Sequence, residues 1–136
     1  MPEVPNVVSP LNGTETVLVA EDEAAVRESV RRILERAGYS VIEARHGADA
    51  LLLWRERRDE IALVLTDLVM PEMRGGELAA CVRACDPDAK IIYMSGYASE
   101  AARSTVTPND TLITKPFDAD TLLRVVRDAL DGVAQR

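Results

Sequence analysis

The order of apolar and polar residues along this chain predicts five strands, each followed by a helix. Short apolar runs rich in β-branched residues predict strands at residues 16–20, 39–44, 61–66, 90–94 and 111–114. Between the first two runs, apolar side chains recur at helical spacing and stop at Gly38, which predicts the first helix. Alternating strands and helices are typical of a doubly wound α/β sandwich built on a five-stranded parallel sheet.

The remaining helices follow from weaker patterns. A second helix is predicted from about residue 48, with Trp54 on its outer side, a third over about residues 77–84, and a short polar one over residues 99–105. The last helix is predicted to begin at the capping residue Asp118. Residues 1–14 read as an extended leader, residues 15–132 as one domain and residues 133–136 as a tail.

Polar residues occupy the ends of four of the predicted strands. They are Glu21 and Asp22 after the first strand, Asp67 after the third, Ser95 after the fourth and Lys115 after the fifth. The carboxyl ends of parallel strands share one edge of the sheet, so these side chains are expected to meet in a single crevice. A crevice at this edge implies the flavodoxin-like strand order 2-1-3-4-5.

The charges of this set predict phosphoryl chemistry. Three neighbouring carboxylates repel one another, and a hard divalent cation such as Mg²⁺ makes that arrangement tolerable. Asp67 is the candidate nucleophile, Lys115 and the metal would neutralise phosphoryl oxygens, and Ser95 would donate a hydrogen bond to the same group. Taken singly, each residue reads as a helix cap, a turn residue or a surface charge; their joint placement favours the functional interpretation.

Length, net charge and the length of the apolar runs exclude several classes of binding partner. The 136 residues suit one domain, and a net charge of −7 argues against nucleic acid and anionic membranes as ligands. No apolar run approaches the roughly 20 residues of a membrane span, and residues 1–10 carry no signal-peptide pattern. We therefore expect a cytoplasmic domain without membrane contact.

Four segments resemble the response-regulator receiver domains of two-component signalling. They are Val17 to Glu23 (VLVAEDE), Leu65 to Pro71 (LTDLVMP), Met94 to Tyr97 (MSGY) and Lys115 to Phe117 (KPF), in the order and at the separations of that family. The resemblance implies that Asp67 accepts a phosphoryl group from a phosphohistidine on a histidine kinase or a histidine phosphotransfer domain. It also implies Mg²⁺ held directly by Asp22, Asp67 and the Val69 carbonyl and through water by Glu21, and a cis Lys115–Pro116 peptide.

Two features depart from that family or refine the resemblance. Leu112 stands where receivers usually carry an aromatic switch residue, so the usual ring flip is not expected here. The segment 10–16 (PLNGTET), together with residues 93–97 (YMSGY), is similar to receivers at the C-terminal end of hybrid sensor histidine kinases.

Two other classes compete with a phosphoacceptor that is not itself an enzyme. An aspartate-nucleophile phosphohydrolase normally has a second Asp two residues after the nucleophile, where this chain has Val69. A pseudo-receiver would keep the fold and bind proteins without being phosphorylated.

Overall fold

The computed structural model of the protein describes residues 11–70, 73–96 and 111–132. Its strands are β1 (Thr16–Ala20), β2 (Ser40–Ala44), β3 (Ile61–Asp67), β4 (Ile91–Ser95) and β5 (Thr111–Thr114). Its helices are α1 (Ala24–Arg36), α2 (Gly47–Arg57), α3 (Gly75–Cys85) and α4 (Ala119–Asp131). The short polar helix predicted over residues 99–105 and the tail at 133–136 lie outside the described residues.

The five strands form one parallel sheet in the order β2-β1-β3-β4-β5. This confirms the predicted flavodoxin-like order and the doubly wound architecture. The central strands β1, β3 and β4 are buried along most of their length, as expected for parallel strands covered by helices on both faces.

Side chains that alternate along each strand divide the core into two layers. In β1, Val17 and Val19 pack with α1 and α4, while Leu18 and Ala20 pack with α2 and α3. Burying each large aliphatic side chain of these layers contributes about 1.5–3 kcal/mol, so the two layers together supply the main stabilisation of the sheet.

The strand and helix ends differ slightly from the sequence prediction, and the differences concern the site. Asp67 and Ser95 are the last residues of β3 and β4, and both are buried. Helix α3 begins at Gly75, two residues before the predicted start. A Cβ atom at Gly75 would collide with the backbone oxygen of Asp67, so only glycine allows α3 to start this close to the end of β3.

The prediction for Trp54 is wrong. Its side chain is only 3% exposed and belongs to the core layer between α2 and the sheet, whereas Leu52 is the exposed residue of this helix at 57%. Helix α2 has apolar residues on more than one face, so periodicity alone did not identify which face packs on the sheet.

Two local predictions are confirmed. Helix α1 ends before Gly38, whose φ of 101° lets the chain turn into β2. The Lys115–Pro116 peptide is cis. Among the helices of residues 11–70, 73–96 and 111–132, none is long and apolar enough to cross a membrane.

Candidate functional site

The carboxyl edge of the sheet brings the polar residues of four strand ends together. Glu21 follows β1, Asp67 and Ser95 end β3 and β4, and Lys115 follows β5. A backbone hydrogen bond from Lys115 N–H to the Ser95 carbonyl, at 2.7 Å, continues the β4–β5 pairing and aligns these two residues. Residues separated by up to 94 positions therefore share one site, as the strand-end pattern predicted.

Lys115 lies at the centre of this group. Its Nζ donates to Glu21 Oε1 at 2.6 Å and to Asp67 Oδ2 at 3.0 Å. The Lys115 side chain is 20% exposed and that of Asp67 is 12% exposed, while Glu21 has no exposed surface. The ammonium thus bridges one fully buried carboxylate and one that remains accessible from solvent.

Three carboxylates meet at this edge. Glu21, Asp22 and Asp67 each offer an oxygen, and these oxygens lie within 4.8 Å of one another. Asp67 Oδ1 also accepts a hydrogen bond of 3.3 Å from the Val69 N–H. Because one ammonium cannot balance three negative charges, the donor set suits a hard cation such as Mg²⁺, which prefers carboxylate and carbonyl oxygens.

Burial and the neighbouring charges shift two pKa values. Burial raises the pKa of the Glu21 carboxyl to about 7, although the hydrogen bond from Lys115 opposes that shift. Burial alone would lower the pKa of Lys115, but hydrogen bonds to Glu21 and Asp67 raise it above its ordinary value. Lys115 therefore stays positively charged at neutral pH and keeps its cation beside Asp67.

Ser95 contributes a buried hydroxyl to the site. Its side chain is fully buried, and its Oγ makes no hydrogen bond within the described part of the chain. Buried hydroxyls almost always have a partner, so an unpaired one at a charged site indicates room for a polar group that binds there.

A cavity of about 770 Å³ opens in front of Asp67 and Lys115. Its walls include Val26 and Ile33 of α1 together with Phe117, which follows the cis peptide. They are partly buried, which lets them pack on the core and line this cavity at once.

The sequence analysis missed Arg27. Its Nη1 donates to the Glu21 carbonyl at 2.8 Å, and its Nε lies 3.6 Å from Glu43 Oε1. The first turn of a helix favours acidic side chains, so a basic residue at this position of α1 is unusual. That departure could have pointed to Arg27 from the sequence. Leu112, the residue at the usual aromatic position, is 36% exposed on β5.

Comparison with known proteins identifies the family. The sequence model described as the response regulator receiver domain matches residues 17–127. The chain is 40% identical over 124 residues to the sensor kinase CckA of Brucella abortus (strain 2308), covering 89% of this chain but only 13% of that kinase. It is 37% identical over 116 residues to the response regulator receiver protein CpdR of the same strain, covering 84% of this chain and 95% of CpdR.

A solved structure supports the same assignment. The crystal structure of the receiver domain from the hybrid histidine kinase CckA aligns with a TM-score of 0.73 at 33% identity, covering 85% of this chain and 98% of that domain. The strand order, the match to residues 17–127 and these relatives agree. The chain belongs to the response regulator receiver domain family of two-component systems.

Proposed function

We propose that this domain is a phosphoacceptor in a two-component phosphorelay, and that Asp67 receives the phosphoryl group from a phosphohistidine. The donor would be a histidine kinase or a histidine phosphotransfer domain. The observation that carries the proposal is the contact of 3.0 Å between Lys115 Nζ and Asp67 Oδ2 at the mouth of the cavity. A partly accessible carboxylate beside a permanent cation suits attack on a phosphoryl group that is itself anionic.

In the proposed transfer an Asp67 carboxylate oxygen forms a bond to phosphorus while the phosphorus–nitrogen bond of the donor histidine breaks. The electron pair of that bond leaves with the imidazole, and the product is an aspartyl phosphate. Lys115 offsets negative charge on the phosphoryl oxygens. The Ser95 hydroxyl, which has no partner among the described residues, donates a hydrogen bond to one of them.

Asp22, Asp67 and the Val69 carbonyl would hold Mg²⁺ directly and Glu21 would hold it through water, as the family resemblance implies. The carboxylate oxygens of Glu21, Asp22 and Asp67 lie close enough together to share one ion. When bound, Mg²⁺ supplies positive charge that stabilises the phosphoryl group in the transition state. The excess of carboxylates over cations among the described residues of the site supports this assignment.

The proposal treats the domain as a switch and not as an enzyme that turns over a substrate. It assists its own phosphorylation in the cytoplasm, while the kinase is a separate domain or protein. Phosphorylation would change which proteins the domain binds. The similarity to the receiver of a hybrid histidine kinase is consistent with a place in such a kinase, and the similarity to CpdR with a separate response regulator.

Intact-mass spectrometry after incubation with acetyl phosphate tests this proposal. We expect one phosphoryl adduct that requires Mg²⁺ and is absent after treatment with a chelator. Asp67→Asn should abolish the adduct, whereas the control Asp59→Asn, at an exposed position outside the site, should not. No adduct on the unaltered chain under any condition would contradict the proposal and favour a pseudo-receiver.

A further inference from the structure

We propose that residues 11–15 form a strap that Arg127 locks onto the domain, so that the chain enters the receiver through a rigid attachment and not through a flexible linker. The strap directly precedes β1 and therefore lies at the amino edge of the sheet, opposite the carboxyl edge that holds Asp67. Such a strap acts on the connection between the domain and the chain before it, whether or not Asp67 is phosphorylated.

The backbone of the strap is hydrogen-bonded to the domain although residues 11–15 belong to no helix or strand. The Gly13 N–H donates to the Ala37 carbonyl, directly after α1, at 3.0 Å. The Glu15 carbonyl accepts from the N–H of Ser40, the first residue of β2, at 3.0 Å. These two hydrogen bonds attach the strap on both sides of the turn that joins α1 to β2, whereas a flexible linker leaves its backbone groups to water.

Arg127 of α4 contacts the strap at two points. Its Nη2 donates to Glu15 Oε2 at 2.6 Å, and its Nη1 donates to the Asn12 carbonyl at 3.2 Å. The same Nη1 donates to the Tyr39 hydroxyl at 3.2 Å, and that hydroxyl donates to the Leu11 carbonyl at 3.4 Å. One guanidinium therefore holds a side chain and a backbone carbonyl of the strap together, which its planar set of donors allows.

Burial strengthens these contacts. The side chain of Arg127 is 16% exposed and that of Glu15 is 32% exposed, while Tyr39 is buried. Fully exposed ion pairs contribute little because water and salt screen them, whereas charge-assisted hydrogen bonds are stronger where water is partly excluded. The pair of Arg127 and Glu15 is therefore suited to hold the strap in one position.

Two glycines allow the strap to lie directly on the turn between α1 and β2. A Cβ atom at Gly13 would collide with the Tyr39 ring and with the Arg127 guanidinium. A Cβ atom at Gly38 would collide with the carbonyl oxygen of Gly13. The two backbones approach this closely only because neither residue has a side chain. The strap is thus packed against the turn as well as hydrogen-bonded to it.

The lock joins the entering chain to α4. Arg127 lies in the C-terminal half of this helix, and it is the residue that holds both Asn12 and Glu15. The chain that precedes residue 11 is therefore attached beside this part of α4, and its point of attachment moves with the helix. No residue of the strap lines the cavity in front of Asp67, so the attachment and the candidate phosphorylation site are kept apart.

Backbone ¹⁵N relaxation of the complete chain gives the first test. We expect the amides of residues 12–15 to have order parameters close to those of β1, about 0.85, whereas a flexible linker gives values below about 0.6. Values below about 0.6 for these residues in the unaltered protein would overturn the proposal.

Removal of the lock gives the second test. Arg127→Gln removes the cation, and we expect the order parameters of residues 12–14 to fall below about 0.6 while those of β3 stay unchanged. Glu15→Gln leaves Arg127 bonded to the Asn12 carbonyl, so it should loosen the strap by a smaller amount. The control Arg124→Gln, at an exposed position of the same helix, should leave the strap ordered. A strap in Glu15→Gln that is as ordered as in Arg124→Gln would contradict the lock, even if Arg127→Gln does not fold.

Amide hydrogen exchange tests the close fit at Gly13. Gly13→Ala should displace the strap, because the added Cβ collides with the Tyr39 ring and with Arg127. After correction for the intrinsic rates of the two residues, the amide at position 13 should exchange roughly tenfold faster in the variant. The control Thr14→Ala, at an exposed position of the strap, should change the exchange of the Gly13 amide by about twofold or less. Equal protection in Gly13→Ala and in the unaltered protein would show that the strap does not lie on the turn.

These measurements need neither Mg²⁺ nor a phosphoryl donor. A chain that forms no adduct with acetyl phosphate would contradict the phosphoacceptor function, and the order of residues 12–15 would still decide the role of the strap. A normal Mg²⁺-dependent adduct on a chain whose strap is loose would contradict only the rigid attachment.

Discussion

Two ionic clusters lie at opposite edges of the sheet, and each is centred on one cation. At the carboxyl edge Lys115 bridges Glu21 and Asp67. At the amino edge Arg127 of α4 binds Glu15, which directly precedes β1, at 2.6 Å. The two clusters look alike as ion pairs but differ in how completely their polar groups are satisfied.

The amino-edge cluster is saturated. Beyond Glu15, the guanidinium of Arg127 donates to Asp131 at 2.9 Å, to the Asn12 carbonyl at 3.2 Å and to the Tyr39 hydroxyl at 3.2 Å. Its planar set of donors suits several acceptors at once. These contacts tie residues 12–15 and the start of β2 to α4, which is a stabilising role.

The carboxyl-edge cluster is not saturated. It places three carboxylates beside one ammonium and leaves the buried Ser95 hydroxyl without a partner in the described chain. Local violations of this kind are typical of functional sites, where stability is given up for binding or chemistry. Incomplete satisfaction, and not the mere presence of ion pairs, therefore distinguishes the carboxyl edge, where we propose phosphorylation, from the amino edge.

Among the substitutions that test this difference between the two edges, Arg127→Ala should change the free energy of unfolding most. It leaves Glu15 without its main cation and removes several charge-assisted hydrogen bonds, so we expect a loss of about 2 kcal/mol in the free energy of unfolding. Urea titration monitored by the fluorescence of Trp54, the single tryptophan, measures it. The control Arg124→Ala, at an exposed position of the same helix, should change stability by about 0.5 kcal/mol or less.

The same Arg127 variant should still form the Mg²⁺-dependent adduct at a rate within about twofold of the unaltered domain, because distant sites are usually independent. A large loss of phosphorylation in a folded Arg127→Ala protein would break the proposed separation between the two edges.

Asp67→Asn should stabilise the protein, whereas Arg127→Ala should destabilise it. Without Mg²⁺ it removes one of the three neighbouring carboxylates, and we expect the free energy of unfolding to rise by roughly 1–2 kcal/mol, in the range of other stabilising substitutions. Added Mg²⁺ should stabilise the unaltered protein more than this variant, because the variant lacks one ligand. A less stable Asp67→Asn protein would mean that the Lys115–Asp67 pair outweighs the repulsion at the carboxyl edge.

The pH dependence of the amino edge gives a smaller effect. The hydrogen bond from Arg127 lowers the pKa of Glu15 from 4.5 to about 2, although burial opposes the shift. A lowered pKa in the folded state stabilises the protein fully above the unfolded pKa, and this contribution is lost as pH falls from about 4.5 toward 2. Because the Glu15 side chain is 32% exposed, solvent screening reduces the contribution to about 1 kcal/mol.

The measurement is the stability difference between the unaltered protein and Glu15→Gln, followed by urea titration from neutral to acidic pH. The difference should be constant near neutrality and shrink below pH 4.5. A difference that grows as pH falls would reverse the assigned direction of the Glu15 pKa shift.

The apolar and polar pattern was enough to predict the five strands, their order in the sheet and the polar residues that meet at its carboxyl edge. Apolar runs that end in Asp67 and Ser95 report both burial and position, because the end of a parallel strand places its residue at a known edge. The predicted and observed positions differ most where the apolar pattern of a helix was ambiguous. Trp54 was put on the wrong side of α2, and the start of α3 was placed two residues late because Gly75 and Gly76 read as a loop.

How the charges are distributed among the residues of the site depends on the packing of distant elements. Lys115 lies closer to Glu21 than to Asp67, and Ser95 has no partner in the described chain. Both facts depend on side-chain packing between strands that are far apart in sequence. The Arg127 cluster was not predicted for the same reason, since it joins α4 to a segment 112 residues earlier. Periodicity records which face of an element is buried, whereas hydrogen bonds between elements are set by distances of a few tenths of an ångström that arise only when the layers pack.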